Sequence, residues 1–297
     1  MAKGIRKIVK NSAINAPSLP WGITILGALI WLVGIACSLA QAEEPRIVSI
    51  GGAVTEIVSA LGAGKNLVGV DTSSLYPEAV TKLPQIGYQR TLSAEGVLSL
   101  RPTLILASEE AGPPRVVEQL RESGIHWETI HGANSVEGAK TKIRTIARIL
   151  HFEPQGEILI RHLEEEMAKV HPVRASKNGR KRVLFVFAHG GGTFLAAGRG
   201  TAADAMISLA GATNAITAYE GYKPLTAESI LTAMPDTILV GKLEGSTPKE
   251  VENLLSQPGL AQTPAGKSRH VVIMDTLLLL GFGPRLGEAL QQLILSL

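Results

Sequence analysis

The chain has 297 residues, of which 45% are hydrophobic, with 29 lysine and arginine residues against 26 aspartate and glutamate residues. The first 42 residues hold four of the bases and no acid, so the remaining 255 residues carry 25 bases and 26 acids. A chain of that balance lacks the concentrated basic face that nucleic-acid binding needs. Its single cysteine, Cys37, also falls in the first stretch, which excludes a disulfide framework, a thiolate metal site and a cysteine nucleophile from residues 43–297.

The first 42 residues have the layout of a cleavable secretory signal. A basic start precedes an apolar run from Ile23 to Ala36, and Ala40-Gln41-Ala42 is a small-residue cleavage site. The apolar stretch is nearly long enough to span a bilayer, so a retained membrane anchor is the alternative. A lipid anchor at Cys37 is the third option. We predict export and removal of residues 1–42.

Strand-like and helix-like segments alternate through the rest of the chain, which predicts an α/β fold with mainly parallel sheets. In the first half the predicted strands are 46–50, 67–70, 104–107 and 127–130, and the predicted helices are 54–61, 113–122 and 136–150. In the second half the predicted strands are 182–188, 237–240 and 271–274, and the predicted helices are 201–210, 228–233 and 284–297.

A single long helix is predicted between the two halves. Apolar residues recur at three- and four-residue intervals from Ile160 to Val170, which predicts a helix over 154–170 that Pro172 ends. The predicted organisation is a signal segment (1–42), an N-terminal lobe (43–152), a connecting helix (153–173) and a C-terminal lobe (174–297). Two similar α/β lobes joined in this way leave a cleft between them, which is a common place for a ligand.

One segment occurs in both lobes. Residues 92–108 read LSAEGVLSLRPTLILAS and residues 225–241 read LTAESILTAMPDTILVG, shifted by 133 positions. Each copy is a helix–Pro–strand unit with an acid, Glu95 or Glu228, just after a Ser or Thr that can cap the helix. One interpretation is that each acid stabilises the N-terminus of its helix.

Few patterns typical of enzymes are present. The sequence has no HExxH, GxSxG or Walker A motif, and we interpret His126 and His131 as a surface pair. Residues 198–203 match the loose form of a dinucleotide-binding loop, but they lie ten residues after the strand that such a loop follows directly. This loop could still bind an anionic group through free N–H groups and Arg199. Further candidates for lining the cleft, which the sequence does not rank, are Tyr219, Tyr222 and Lys223.

Two loops carry residues suited to a metal held in a planar macrocycle. Tyr88 and Arg90 lie in the loop LPQIGYQR of the first lobe, and His189 and three glycines follow the strand 182–188 of the second. Ligands bind α/β sheets at such strand ends. Phenolate suits Fe(III), imidazole is a common haem ligand, and an arginine can stabilise the phenolate. On spacing alone, an ordinary loop tyrosine and a hydrogen-bonded strand-end histidine are the more frequent explanation.

Three segments resemble the periplasmic haem-binding proteins of bacterial haem-uptake ABC transporters: IGYQRTLSAEGVLSLRP (86–102), FAHGGG…AAGRGTAADAMI (187–207) and GFGPRL (281–286). These proteins belong to the helix-strut class of binding proteins, which also serves cobalamin and siderophores. The resemblance, which covers essentially all of residues 43–297, implies that Tyr88 ligates haem iron and that Arg90 hydrogen-bonds its phenolate. It implies that His189 is a further axial ligand, as in some members, and that Glu95 and Glu228 dock onto arginines of the membrane permease.

The resemblance implies a non-catalytic function, the capture of haem in the periplasm and its delivery to an inner-membrane ABC importer. Haem is then the transported ligand, bound through its iron. The implied partners are the permease and its ATPase, with an outer-membrane haem receptor system upstream. One alternative is a ferric-siderophore or cobalamin carrier, although Trp127 is the only tryptophan after residue 42 and a siderophore site would want several. The other is an exported enzyme that uses a haem or nucleotide cofactor.

Overall fold

The structure, a computed structural model, describes residues 44–176, 181–188, 194–242 and 248–297. The strands are β1 (Ile47–Ile50), β2 (Leu67–Val70), β3 (Leu104–Ser108), β4 (His126–Ile130), β5 (Arg182–Ala188), β6 (Phe194–Ala197), β7 (Thr213–Asn214), β8 (Tyr222–Pro224), β9 (Thr237–Lys242) and β10 (Val271–Asp275). The α-helices are α1 (Gly52–Ala60), α2 (Ala94–Ser99), α3 (Pro114–Glu122), α4 (Val136–Leu150), α5 (Glu153–Ser176), α6 (Ala202–Leu209), α7 (Ala227–Ala233), α8 (Pro248–Leu255), α9 (Pro264–Ser268), α10 (Thr276–Leu280) and α11 (Leu286–Ser296).

The first sheet has the strand order β2-β1-β3-β4, and its strands all run parallel. Its central strand β1 is buried along its whole length. Ile47 contributes to the core on one face of the sheet, whereas Val48 and Ile50 contribute to the core on the other. Burial on both faces is what a parallel sheet between two layers of helices requires, and it explains why β1 is almost continuously apolar.

The second sheet has the order β10-β9-β5-β6-β8, and β7 pairs with the start of β5. The pairs among β10, β9, β5 and β7 are parallel, whereas β6 and β8 add antiparallel strands at one side. Without that addition the order β7-β5-β9-β10 repeats the order β2-β1-β3-β4 of the first sheet. The predicted fold class, two similar α/β lobes with mainly parallel sheets, is confirmed.

The duplicated sequence segment folds the same way in both lobes. It forms α2 and β3 in the first lobe and α7 and β9 in the second. Ser93 and Thr226 each accept a hydrogen bond from the backbone N–H three residues later, which caps the helix. Arg101 and Met234, each just before a proline, have φ values of 48° and 40° and so share a left-handed backbone turn. The two copies of the segment therefore share the same elements, the same helix cap and the same backbone turn.

The connecting helix α5 packs against both lobes. Ile160, Leu163 and Val170 are buried in a core that also includes residues of α4 and α11. The prediction that Pro172 ends this helix was wrong, because the helix continues to Ser176. Proline removes one backbone donor, and a 24-residue helix whose earlier turns are packed can tolerate that loss. The exact lobe boundaries predicted above remain a prediction, since Pro45–Leu297 form one compact unit.

Two polar contacts join the lobes directly. The guanidinium of Arg285, at the start of α11, donates to both carboxylate oxygens of Glu56 on α1, at 3.0 Å from Nε and 2.9 Å from Nη2. The ring of Tyr76 lies 3.6 Å from the same guanidinium. Lys142 on α4 donates from Nζ to the carbonyl oxygen of Gly281 at 2.9 Å. Gly281 and Arg285 belong to the GFGPRL segment, so this motif forms part of the lobe junction.

The close approach of the lobes also explains a glycine at the start of α1. A Cβ atom on Gly52 would lie 2.5 Å from a methyl group of Leu277 in the second lobe and 2.5 Å from the backbone oxygen of Ser73. A larger residue would therefore push the two lobes apart.

Among the described residues, no helix is both long and apolar enough to cross a bilayer. The predicted signal segment, residues 1–42, lies outside them.

Replacement of Arg285 by methionine is expected to lower the free energy of unfolding by about 3 kcal/mol, because it leaves the carboxylate of Glu56 buried without its partner. The side chains of Arg285 and Glu56 are only 20% and 5% exposed. Arg269→Met is the matched control, since Arg269 pairs with Glu252 at 2.7 Å on the surface. An exposed pair contributes less than about 1 kcal/mol. Urea denaturation compares the two variants, and equal losses would contradict the assignment.

The stability of the lobe junction is expected to depend on pH through Lys142. Burial lowers the pKa of Lys142 from its ordinary value of 10.5 to about 8, against the opposing charges of Glu109, Glu110 and Glu56. Between those two values the unfolded chain binds a proton that the folded chain does not, so folding becomes more favourable as the pH rises. Relative to Lys142→Met, the wild-type protein should gain on the order of 3 kcal/mol from pH 7 to pH 10.5. A difference between the two proteins that stays constant with pH would contradict this.

Candidate functional site

Tyr88 lies in the loop between β2 and α2, at the carboxyl edge of the first sheet. The N–H of Ile86 donates to the carbonyl oxygen of Val70 at the end of β2 (3.0 Å), and the N–H of Leu92 donates to that of Gly112 (2.9 Å). Ile86 and Leu92 are buried, whereas Tyr88 between them is 44% exposed. The loop is therefore fixed on both sides and presents the phenol at the edge where parallel α/β sheets bind ligands.

A polar network holds Arg90 beside this phenol. The Nη2 atom of Arg90 donates to Oε2 of Glu110 at 2.7 Å, and both side chains are about half exposed. Gln89 extends the network, because its Oε1 accepts a hydrogen bond from the hydroxyl of Ser108 at 2.8 Å. Ser108 is the last residue of β3, so the network ties the Tyr88 loop to the sheet.

The electrostatics of Arg90 bring in a residue of the second lobe. The hydrogen bond to Glu110 raises the pKa of Arg90, and the charges of Glu110, Tyr88 and Tyr222 act in the same direction against burial. Tyr222 lies on β8, so the electrostatic influence on this guanidinium comes from a phenol of each lobe. The contact that fixes the Arg90 side chain is its hydrogen bond to Glu110.

Tyr222 is part of an aromatic group at the end of β5. Its ring stacks on that of Phe187, with centroids 5.2 Å apart and planes at 26°. The ring of Phe185 meets Phe187 edge-on at 5.0 Å. Burial raises the pKa of Tyr222 above its ordinary value of 10.0. At neutral pH this phenol is neutral.

The other three cleft candidates of the second lobe make contacts within that lobe. The hydroxyl of Tyr219 donates to the carbonyl oxygen of Ala196 at 3.3 Å, and Nζ of Lys223 lies 4.9 Å from the Tyr219 ring centroid. Arg199 pairs with Glu220 at 3.6 Å. Tyr222 is therefore the one of the four candidates with a described interaction towards the first lobe.

The prediction of free N–H groups in the glycine loop was wrong for Gly198, Arg199 and Gly200. The N–H of Gly198 donates to the oxygen of Gly221 (2.8 Å), that of Arg199 to Tyr219 (2.9 Å), and that of Gly200 to the carboxylate of Asp204 (3.0 Å). A Cβ atom on Gly198 would lie 2.4 Å from the backbone oxygen of Tyr219. The glycine serves close packing, and the occupied N–H groups are not available to a phosphate.

The predicted histidine ligand, His189, and the glycines that follow it lie outside the described residues. His126 and His131, interpreted as a surface pair, each contact an acid: Nε2 of His126 is 2.8 Å from Glu128 and Nδ1 of His131 is 3.1 Å from Glu109. In the part of the chain that the structure describes, no three His, Cys, Asp or Glu side chains are grouped to hold a metal ion.

Comparison with known proteins gives the family. The family model for periplasmic binding proteins matches residues 47–277. The chain belongs to the periplasmic binding protein family. Among curated relatives of this family, the vitamin B12-binding protein of Pectobacterium carotovorum is 26% identical over 219 residues, which are 73% of this chain and 79% of that protein.

Solved structures of periplasmic haem-binding proteins are more similar. RhuT from Roseiflexus sp. RS-1, in its apo form, has a TM-score of 0.81 and 41% identity, over 86% of this chain and 98% of RhuT. BhuT in complex with two haems has a TM-score of 0.79 and 42% identity, over 85% of this chain and 97% of BhuT. These two-lobed binding proteins share the architecture described above.

The two repeated acids are exposed at equivalent places of this family fold. Glu95 and Glu228 each lie in the first turn of a helix, two residues after the capping Ser93 or Thr226. Both positions are exposed, one on each lobe. A carboxylate there interacts favourably with the helix dipole and is also accessible to a partner, so the geometry is compatible with both interpretations.

The site residue that the sequence analysis did not find is Glu110. Its signal was present, because Glu109 and Glu110 follow a predicted buried strand and the carboxyl ends of parallel strands meet at one edge. The sequence does not show that the two residues meet. Arg90 and Glu110 are 20 residues apart in the chain, but Nη2 of Arg90 and Oε2 of Glu110 are 2.7 Å apart in the fold.

Proposed function

We propose that this protein is a non-catalytic, exported carrier that captures haem and delivers it to an inner-membrane ABC importer. The observation that carries the proposal is the pair of Tyr88 and Arg90 on one loop, which backbone hydrogen bonds fix at the carboxyl edge of the first sheet. The similarity to RhuT and BhuT supports haem as the ligand. Export by residues 1–42 and contact with a permease, an ATPase and an upstream receptor system belong to the same proposal.

In this proposal Tyr88 binds the iron of haem through its phenolate oxygen. The phenol must lose its proton to do so, and a nearby cation favours the charged form. Arg90 supplies that cation, and its raised pKa keeps it protonated. The hydrogen bond between Gln89 and Ser108 restricts the loop, so the loop loses little conformational entropy when the ligand binds.

We propose His189 as a further iron ligand, supported by its place after β5 and by the resemblance stated above. The two haems in BhuT show that a relative with 42% identity accommodates a pair of them. If a second haem is bound here, His189 on the second lobe is suited to hold it, because imidazole is a common axial ligand. Tyr88 on the first lobe would then hold the first.

Cobalamin is the second candidate ligand, favoured by the vitamin B12-binding relatives. A cobalamin carrier has no evident use for a phenol beside an arginine, since its metal is already enclosed by its own ligands. The sequence identity to RhuT and BhuT, 41% and 42%, also exceeds the 26% to the vitamin B12-binding protein. We therefore place haem first.

Replacement of Tyr88 by phenylalanine is expected to abolish the tyrosinate–iron absorption of the haemin complex and to weaken haemin binding by roughly tenfold or more, since the iron loses an oxygen ligand. Absorption titration with haemin measures both. Tyr76→Phe is the matched control, because Tyr76 is also 44% exposed on the first lobe. An unchanged spectrum in Tyr88→Phe would remove Tyr88 from the role, and tighter binding of cobalamin than of haemin by the wild-type protein would favour the second candidate.

Replacement of Glu95 and Glu228 together by glutamine is expected to reduce the stimulation of the importer's ATPase several-fold without changing haemin affinity. Charged groups at an interface steer and orient the partner. If the acids serve only their helices, each substitution should instead lower stability by about 0.3–1 kcal/mol and leave the ATPase unaffected.

Glu137 provides the control for this experiment. It lies two residues after a capping serine, Ser135, in the first turn of α4, and it is exposed. Glu137→Gln therefore repeats the loss of a first-turn acid at a site outside the duplicated segment, and it also removes the surface ion pair with Lys140. Stimulation that falls equally in Glu137→Gln and in the double variant would contradict docking through Glu95 and Glu228.

A further inference from the structure

A fully buried carboxylate, that of Asp71, lies directly after β2 in the first lobe. Its Oδ1 atom accepts from the N–H of Gly51 at 2.8 Å and from the hydroxyl of Ser74 at 2.8 Å. Its Oδ2 atom accepts from the N–H and the hydroxyl of Ser73, at 3.0 Å and 2.6 Å. A carboxylate is costly to bury unless donors surround it, and here each oxygen has two.

One route from Asp71 to Tyr88 runs through the backbone of the residue that follows Asp71. The bond from the N–H of Ser73 to the Asp71 side chain closes an Asx turn, in which an aspartate side chain binds the backbone two residues later. Thr72 lies inside this turn, and its N–H donates to the carbonyl oxygen of Gly87 at 3.0 Å. That oxygen belongs to the peptide group that joins Gly87 to Tyr88. The turn therefore fixes the donor that holds the backbone directly before the tyrosine.

The other route runs through Gly51, which precedes α1. Asp71 holds the N–H of Gly51, whose φ of 104° is a backbone conformation that favours glycine. A Cβ atom on Gly51 would lie 2.9 Å from Cβ of Ser108 and 3.2 Å from Oε1 of Gln89. Gly51 therefore packs against the hydrogen bond between Ser108 and Gln89. A displacement of Gly51 would reach Gln89, the residue directly after Tyr88.

We infer that Asp71 is a positioning residue for Tyr88. Its carboxylate holds the Asx turn and Gly51, and these contact the residues directly before and after the tyrosine, Gly87 and Gln89. Asp71 is buried and acts through these backbone segments, not on the ligand. The inference rests on the proposed function for the role of Tyr88, and it adds that the interior of the first lobe sets the position of the phenol.

Replacement of Asp71 by asparagine tests this role, because the amide keeps the shape but puts a donor in place of one acceptor. Each carboxylate oxygen accepts from one backbone N–H and one hydroxyl. A hydroxyl can rotate to accept from the new amide, but a backbone N–H cannot. In either orientation of the amide, the N–H of Gly51 or of Ser73 therefore loses its acceptor. The folded variant should show a shifted tyrosinate–iron absorption and bind haemin roughly threefold to tenfold more weakly, since its loop is less ordered before binding.

Amide hydrogen exchange of the full-length protein without haemin measures the same effect independently of the ligand. The N–H of Thr72 should exchange roughly tenfold faster in Asp71→Asn, because the turn that directs it to Gly87 is loosened. The N–H of Leu92 is the internal reference, since it donates to Gly112 at 2.9 Å on the other side of the loop. Its exchange rate should change less than about twofold.

Asn214→Leu is the matched control for a general loss of stability. Asn214 is 4% exposed, and its Nδ2 donates to the carbonyl oxygen of Ala197 at 3.1 Å and to Oδ1 of Asp204 at 3.0 Å. Its Oδ1 accepts from the N–H of Ile216 at 3.1 Å, so this variant also leaves one buried N–H without its acceptor. It should melt at a lower temperature and keep the wild-type haemin spectrum. Thr72→Ala is a second control, because it removes an exposed side chain and keeps the N–H.

Ser73→Ala is the milder variant, which serves if thermal melting shows that Asp71→Asn is unfolded. It removes the hydroxyl that donates to Asp71 and accepts from the N–H of Gly52 at 3.1 Å, and it should speed the exchange of Thr72 by about threefold. A folded variant of either residue with the haemin spectrum and affinity of the wild type would overturn the inference, and so would an equal spectral shift in Asn214→Leu. A wild-type protein that binds no haemin would overturn the proposed function, and the exchange of Thr72 would then decide whether Asp71 holds the loop.

Discussion

The position of the two lobes relative to each other is set by buried contacts between them, and the ligand site depends on it. The connecting helix packs on both lobes, and Arg285 and Glu56 form a bidentate ion pair that is nearly shielded from water. An ion pair of this kind adds little net stability, because the cost of desolvating both charges offsets their attraction, whereas the loss of one partner alone leaves a buried charge unpaired and is costly. Tyr88 and Tyr222 lie on different lobes, so their relative position depends on this junction.

The site itself is organised around a single cation. Arg90 is paired with Glu110, yet both are half exposed, so the pair is weak and Arg90 can turn to a new anion at low cost. A phenolate formed at Tyr88 would be such an anion. Arg90 is therefore an exposed cation near Tyr88, the proposed iron ligand. An exposed cation stabilises a phenolate only moderately, which suits a carrier that must release what it binds.

Sequence reasoning failed for short strands and for hydrogen-bond partners that lie far apart in the chain. Strands β6, β7 and β8 have two to four residues, too few for a period to be recognised, and they add the antiparallel side of the second sheet. The N–H groups of Gly198 and Arg199 looked free because their acceptors, Gly221 and Tyr219, lie about 20 residues later. Pro172 looked like a helix end because the packing of α5 cannot be read from its own sequence.

The sequence by itself determined the α/β class, the duplicated helix–Pro–strand unit, and the main strands and long helices. These follow from local patterns: apolar periodicity, capping residues and a proline. The pairing of Tyr88 with Arg90 stays a prediction. Only the tertiary structure decided that Glu110 holds Arg90, that Tyr222 stacks on Phe187, and that GFGPRL joins the lobes. Such contacts depend on distances between residues far apart in the chain, and no local pattern records them.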